Sequence, residues 1–241
     1  MEDRIKFLEV LKTAQSISDF GPTVVDQLNV TERKRLFSMI IEAFRSYSAF
    51  AKLIKEHYLV QSCAVLRVFV EEVSKIVILE EHPELYEKFA DHCRVREKVL
   101  DKTQKERKLT VLKEFGLSDN QFNNALCYLD YGWIRSLSKK GAYGYHKMLK
   151  LAGVEQTTVV AYVDNLDQFI HQNVDSCSLS NEGFELFEMD NMYLSFVYFE
   201  KLLVSFQNIT GKTFVLGGKR LLEDLFWPVY EEILKPEDKI S

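Results

Sequence analysis

The chain has 241 residues, enough for one large domain or two small ones and for a substantial buried core. A composition of 46% hydrophobic and 28% charged residues excludes a disordered chain, and 10 glycines with 4 prolines are too few breakers for an all-β fold. A net charge of −5 excludes a strong overall field for nucleic acid.

Helical periodicity runs through the chain. Residues 3–20 place Ile5, Leu8, Leu11 and Ala14 on one side, and Gly21-Pro22 ends that helix. Thr31 is a good N-cap for a long helix reaching about His57, with Leu36, Ile40, Phe44, Tyr47, Ala51 and Ile54 in one stripe. The next helix, about 58–80, is apolar on nearly all faces, which predicts burial, and it stops near His82-Pro83. Pro83 suits the first turn of the segment 83–115, the most charged of the chain, which reads as one long exposed helix or two shorter ones capped by Gly116.

Ser118 and Gln121 have capping-box spacing, and Leu117 can staple onto Phe122, which predicts a helix to about Ser136. A loop over 138–144 precedes a short helix around Tyr145 to Ala152, broken by Gly153. An amphipathic helix over 157–173, a polar loop over 174–180 and a long aromatic helix over 184–207 follow. Residues 213–216 read as extended, and a last helix over 219–234 meets Pro228. No internal repeat or low-complexity linker interrupts the pattern. The expected fold is all-α: a single domain over 1–241, a compact bundle of about eight or nine helices completed by residues 181–241.

Arg67 and Glu71 carry the first candidate site. They are four apart on one face of the most apolar helix, and burying a charge costs several kcal/mol unless it is paired. Ser74 and Lys75 fall on the same side. The pair is a rim ion pair, a buried bridge, or a pair facing a ligand; an arginine in a pocket favours a planar anion. The second candidate is the helix carrying Asp164, Asp167 and His171 at i, i+3 and i+7. Asp167 and His171 have the spacing of a metal pair or an acid–base couple. The same pattern also describes the solvated side of an ordinary amphipathic helix, and three ligands on one face name no metal.

Charge is uneven. Residues 94–114 hold eight Lys or Arg against four Asp or Glu, while residues 182–200 hold five acids and no base. Either these are solvated helix faces, or the basic segment 94–113 meets phosphate. The aromatic stretch 184–206 is a core helix or a homodimer face.

Other motifs are incomplete. Gly211-Lys212-Thr213 ends like a phosphate-binding loop, but Phe206 stands where its first glycine belongs and a helix precedes it. Ribonucleases of the helical HEPN class carry an arginine followed by a histidine four to six residues later, and no histidine here has that partner. His57, His82 and His92 read as ordinary surface or cap residues; His146, in an aromatic context, would line a cleft if its helix folds back near Trp133. The four cysteines are widely spaced without a Cys-x-x-Cys pair, which speaks against structural zinc, and Cys63 reads as a buried thiol. Residues 1–7 show no signal-type apolar stretch, and no uncharged run is long enough to span a bilayer.

Two fragments together resemble a family. Leu66, Arg67 and Glu71 match an L-R-x-x-x-E helix, and Tyr162, Leu166, Ile170 and His171 match a later Y-x-x-x-L-S-x-x-[VI]-H helix. This is similar to a group of helical bacterial proteins known only as a domain of unknown function. Asp167 stands where that family usually has serine. The resemblance covers about residues 31–173 and implies a helical core in which Arg67, Glu71 and His171 converge. The resulting expectation is a cytoplasmic, non-catalytic binding protein without cofactor or membrane attachment, with bacterial defence or regulation as its setting. Two alternatives accompany it: a hydrolase or nuclease using Arg67, Glu71, Asp167 and His171, and nucleic-acid binding through 94–113.

Overall fold

A computed structural model describes residues 31–56, 58–153, 181–211, 215–216, 219–220 and 223–224. The fold is all-α. The described residues form seven α-helices, three 3₁₀ segments and one pair of two-residue strands, against the eight or nine helices expected over the whole chain. Contacts group the chain into two compact units, one of Met1–Val77 with Glu155–Ser241 and the other of Ile78–Val154. Their boundary falls inside a continuous helix, so no change of composition marks it.

The first unit is built on α1 (Thr31–Lys55), most of α2 (Leu59–Glu81) and α7 (Asn181–Thr210). The stripe expected for α1 is its buried face, from Leu36 through Ile54. Its rings interlock with those of α7: Tyr47 stacks on Phe199 at 4.3 Å and 20°, while Phe44 meets Phe199 and Phe206 edge-on. Such ring pairs contribute about 0.5–1.5 kcal/mol each beyond burial.

The expectation of all-round burial for α2 is corrected. Leu66, Phe69, Val70, Val73 and Ile76 are buried, but Gln61 and Ala64 are exposed and Val68 is 51% exposed. An apolar count cannot tell a two-sided helix from a one-sided one whose outer positions also hold small or branched residues. The expected final helix is corrected at its start as well. Val215–Leu216 pair antiparallel with Lys219–Arg220, in the register Val215↔Arg220 and Leu216↔Lys219. The sequence between them is Gly-Gly, a dipeptide that favours hairpins and competes with helix propensity.

The second unit contains α3 (Tyr86–Glu97), α4 (Gln104–Phe115), α5 (Ala125–Tyr131) and α6 (Tyr145–Leu151), with 3₁₀ segments at Pro83–Leu85, Asp119–Asn124 and Gly132–Leu137. The charged segment is therefore two helices. Thr103 divides them: it forms a capping box with Glu106, its backbone N–H donating to Glu106 Oε2 at 2.9 Å. Gly116 closes α4 in the left-handed conformation at φ 61°, where a side chain would be strained.

The Ser118/Gln121 box forms as expected. It opens a 3₁₀ segment rather than the single α-helix expected to reach Ser136. Asn120, Asn123 and Asn124 crowd that start, and asparagine side chains compete with helical backbone bonds. Leu117 and Phe122 both pack against the cluster Val95, Val99, Val111, Leu112, Ala125 and Leu129. The loop over 138–144, the short helix after it and the break at Gly153 follow the sequence reading.

Candidate functional site

In the Arg67/Glu71 group on α2, Lys75 is a partner of Glu71. The Glu71 carboxylate receives the Lys75 ammonium at 2.6 Å, with both side chains largely buried. Arg67 is half-buried one turn back on α2. Ser74, grouped with them by helical angle, is fully buried and donates to the Val70 carbonyl at 2.8 Å. Asp164, Asp167 and His171 lie outside the described residues, and so does any meeting of His171 with Arg67. Among the described residues no group of three His, Cys, Asp or Glu gathers to hold a metal.

The acid under most stress in α2 is Glu72, next to the one the sequence pointed to. Burial raises its pKa, more than Ser46 and Lys75 lower it, and its Oε2 is buried without a hydrogen-bond partner. The two neighbouring carboxylates, Glu42 and Glu71, raise it further. Nearby in the core, burial pushes the hydroxyls of Tyr47 and Tyr198 far up as well. Cys63 is a fully buried thiol, as expected; it accepts from Asn191 Nδ2 at 3.3 Å, and its pKa is pushed up to about 12 by burial.

Most cations of the basic segment already have partners. Arg94 pairs with Asp91, Arg96 with Asp130 at 2.6 Å and Lys98 with Glu114 at 2.8 Å. Arg107 donates to the carbonyls of Leu100 and Lys102, and Lys102 to Thr110. Lys108 lies 4.9 Å from the centre of the Phe122 ring. In the aromatic helix, Phe196, Tyr198, Phe199 and Phe206 are buried, which fits the core reading of that stretch.

The described residues present a cleft of about 460 Å³ in the second unit, and His92 is one of the residues that line it. The reading of His92 as a surface or cap residue is corrected: it is 6% exposed. Its place follows from α3, whose inward stripe of Phe89, His92 and Val95 is continued by Leu85 before the helix and Val99 after it. A histidine in step with an apolar stripe was the signal available in the sequence. His146, by contrast, is exposed and does not line this cleft.

The His92 ring is gripped on several sides. Nδ1 stands 2.9 Å from the Leu129 carbonyl oxygen, which only accepts, so Nδ1 carries the proton. Phe115 packs on the ring at 4.4 Å between centroids and Tyr128 at 5.4 Å. Burial lowers the His92 pKa against the opposing effects of Leu129, Asp91 and Asp130. The ring is therefore neutral at physiological pH, and its Nε2 is a bare acceptor.

Gly132 completes the fit. A Cβ there would lie 2.9 Å from His92 Cε1 and 2.9 Å from two carbons of the Tyr128 ring, so only glycine lets the chain pass. Trp133 is buried beneath, with Nε1 donating to the Asp130 carbonyl and Phe89 edge-on at 5.1 Å. The rim is polar. Lys88 donates to Ser136 Oγ at 3.3 Å, and Asp91 is held by Arg94. Arg135 lies across Gly141, and among the described residues its guanidinium forms no hydrogen bond or ion pair.

No protein-family model, curated protein or solved structure matches the chain. No helix among the described residues is long and apolar enough to cross a membrane.

Proposed function

We propose that this chain is a non-catalytic binding protein of the cytoplasm, and that the His92 cleft is its ligand site. The observation that carries the reading is the cleft itself: a concave site of about 460 Å³ in which the rings of Phe115, Tyr128 and Trp133 meet the polar side chains of Lys88, Asp91, His92, Arg135 and Ser136, and such a joining of aromatic wall and polar groups fits a small-molecule pocket. Its polar groups are arranged to hold rather than to react. The Ser136 hydroxyl accepts a hydrogen bond from Lys88, and His92 is backed by a carbonyl instead of the carboxylate that orients a catalytic histidine. Among the described residues, the reduced thiols of Cys63 and Cys127 fit a reducing compartment. The family resemblance of residues 31–173 motivates a setting in bacterial defence or regulation. A homodimer through α7 would use its outer residues, such as Val204, because the rings from Phe196 to Phe206 are occupied in the core.

The test is a ligand-observed and protein-observed NMR screen of the full chain against a library of small organic molecules. The reading expects shifts gathered on the lining residues and compounds recovered unchanged. A library that leaves those residues unmoved, or a compound that is turned over, overturns it.

A further inference from the structure

We infer that the His92 cleft takes a planar aromatic ring carrying an anionic group, of about the size of a nucleoside monophosphate. This deepens the binding reading and rests on it. Three observations converge. The lining supplies two half-buried aromatic rings, Phe115 and Tyr128, packed edge to face at 5.3 Å and 65° beside the imidazole. The rim supplies two cations, Lys88 and Arg135, on opposite sides of the Gly132 turn in sequence. Both are exposed, and the guanidinium has its donors unused among the described residues.

Rings stack on aromatic faces whatever their substituents, while a guanidinium fork selects phosphate or carboxylate. The single acid on the rim, Asp91, already pairs with Arg94, so its charge is offset before a ligand arrives. The unit around the cleft is also the cationic part of the chain, with 14 Lys or Arg against 11 Asp or Glu in Ile78–Val154, a net of +3. A volume of about 460 Å³ falls in the range that accepts a ligand of this size. The bare Nε2 of His92 adds an acceptor, which favours a ring that carries an N–H or amino donor.

The experiment is calorimetric titration of the full chain with AMP, adenosine, ribose 5-phosphate and 1-naphthoate, on wild type and on Arg135→Ala and Lys88→Ala. Both substitutions are at exposed positions, and unchanged melting curves verify folding. AMP or 1-naphthoate is expected to bind, with adenosine and ribose 5-phosphate each weaker than AMP by about tenfold or more. Arg135→Ala should weaken the anionic ring by about tenfold and leave adenosine unchanged. Binding of AMP alone assigns phosphate as the anion; binding of 1-naphthoate alone assigns carboxylate. If neither binds while neutral aromatics from the library shift the cleft, the inference fails and the binding reading stands. Equal losses for AMP and adenosine in Arg135→Ala also overturn it.

Discussion

The Nδ1 of His92 stands 2.9 Å from the carbonyl oxygen of Leu129, and that contact ties α3 to α5 through a buried ring. It fixes the tautomer, and with Phe115 and Tyr128 it fixes the ring plane. The cleft depends on this arrangement because the imidazole, Phe115 and Tyr128 all line it.

His92 makes the second unit acid-sensitive. Its folded pKa is depressed, so its contribution is complete above the ordinary histidine value of about 6.5 and is lost as pH falls toward the depressed value. Thermal melts should fall across that window, and His92→Phe should flatten the dependence. The same substitution leaves the Leu129 carbonyl unpaired, a cost of about 1–3 kcal/mol above neutral pH. A His92→Phe variant that keeps the wild-type pH dependence through this window would contradict the assignment.

Gly132→Ala drives a methyl group into His92 and Tyr128. Overpacking of this kind costs about 1–3 kcal/mol, more than the gain in helix propensity of about 1 kcal/mol. Denaturant unfolding should report a net loss of stability, and the variant should lose any ligand that rests on the Tyr128 face. A stabilised Gly132→Ala would mean that the glycine is not filling a steric role.

Glu72 predicts the opposite pH response in the first unit. Its folded pKa is raised, so its charged form destabilises the fold above that value, and the penalty is relieved as pH falls toward the ordinary glutamate range. Glu72→Gln removes the charge and should stabilise the protein at neutral pH, with the advantage shrinking in acid. Hydrogen exchange followed residue by residue separates this unit from the His92 unit. Equal pH dependence in wild type and Glu72→Gln would remove Glu72 from the account.

Thiol labelling should follow exposure. Cys127 is exposed and Cys63 is fully buried. Iodoacetamide under native conditions, read by peptide mass spectrometry, should modify Cys127 first and reach Cys63 only when the chain unfolds. Early modification of Cys63 would place it outside the core.

Much of the helical frame was legible in the sequence because it rests on local chemistry. The α1 stripe, the stop before Pro83, the left-handed Gly116 and the Ser118/Gln121 box each depend on a few neighbouring residues. The site was less legible. Arg67 and Glu71 drew notice because charge in an apolar helix is rare, yet the stressed carboxylate is Glu72, and only the packing of α1 on α2 distinguishes the two. The cleft depends on residues that are scattered along the second unit, from Lys88 to Gly141, and no spacing rule joins them. His92 left one trace, its step within an apolar stripe.

The most direct test of the central claim is a long-range ¹H–¹⁵N NMR titration of the histidine rings. The account predicts that His92 is the Nδ1–H tautomer and titrates below the ordinary histidine value of about 6.5. An Nε2–H tautomer, or a His92 that titrates at or above that ordinary value, would contradict it.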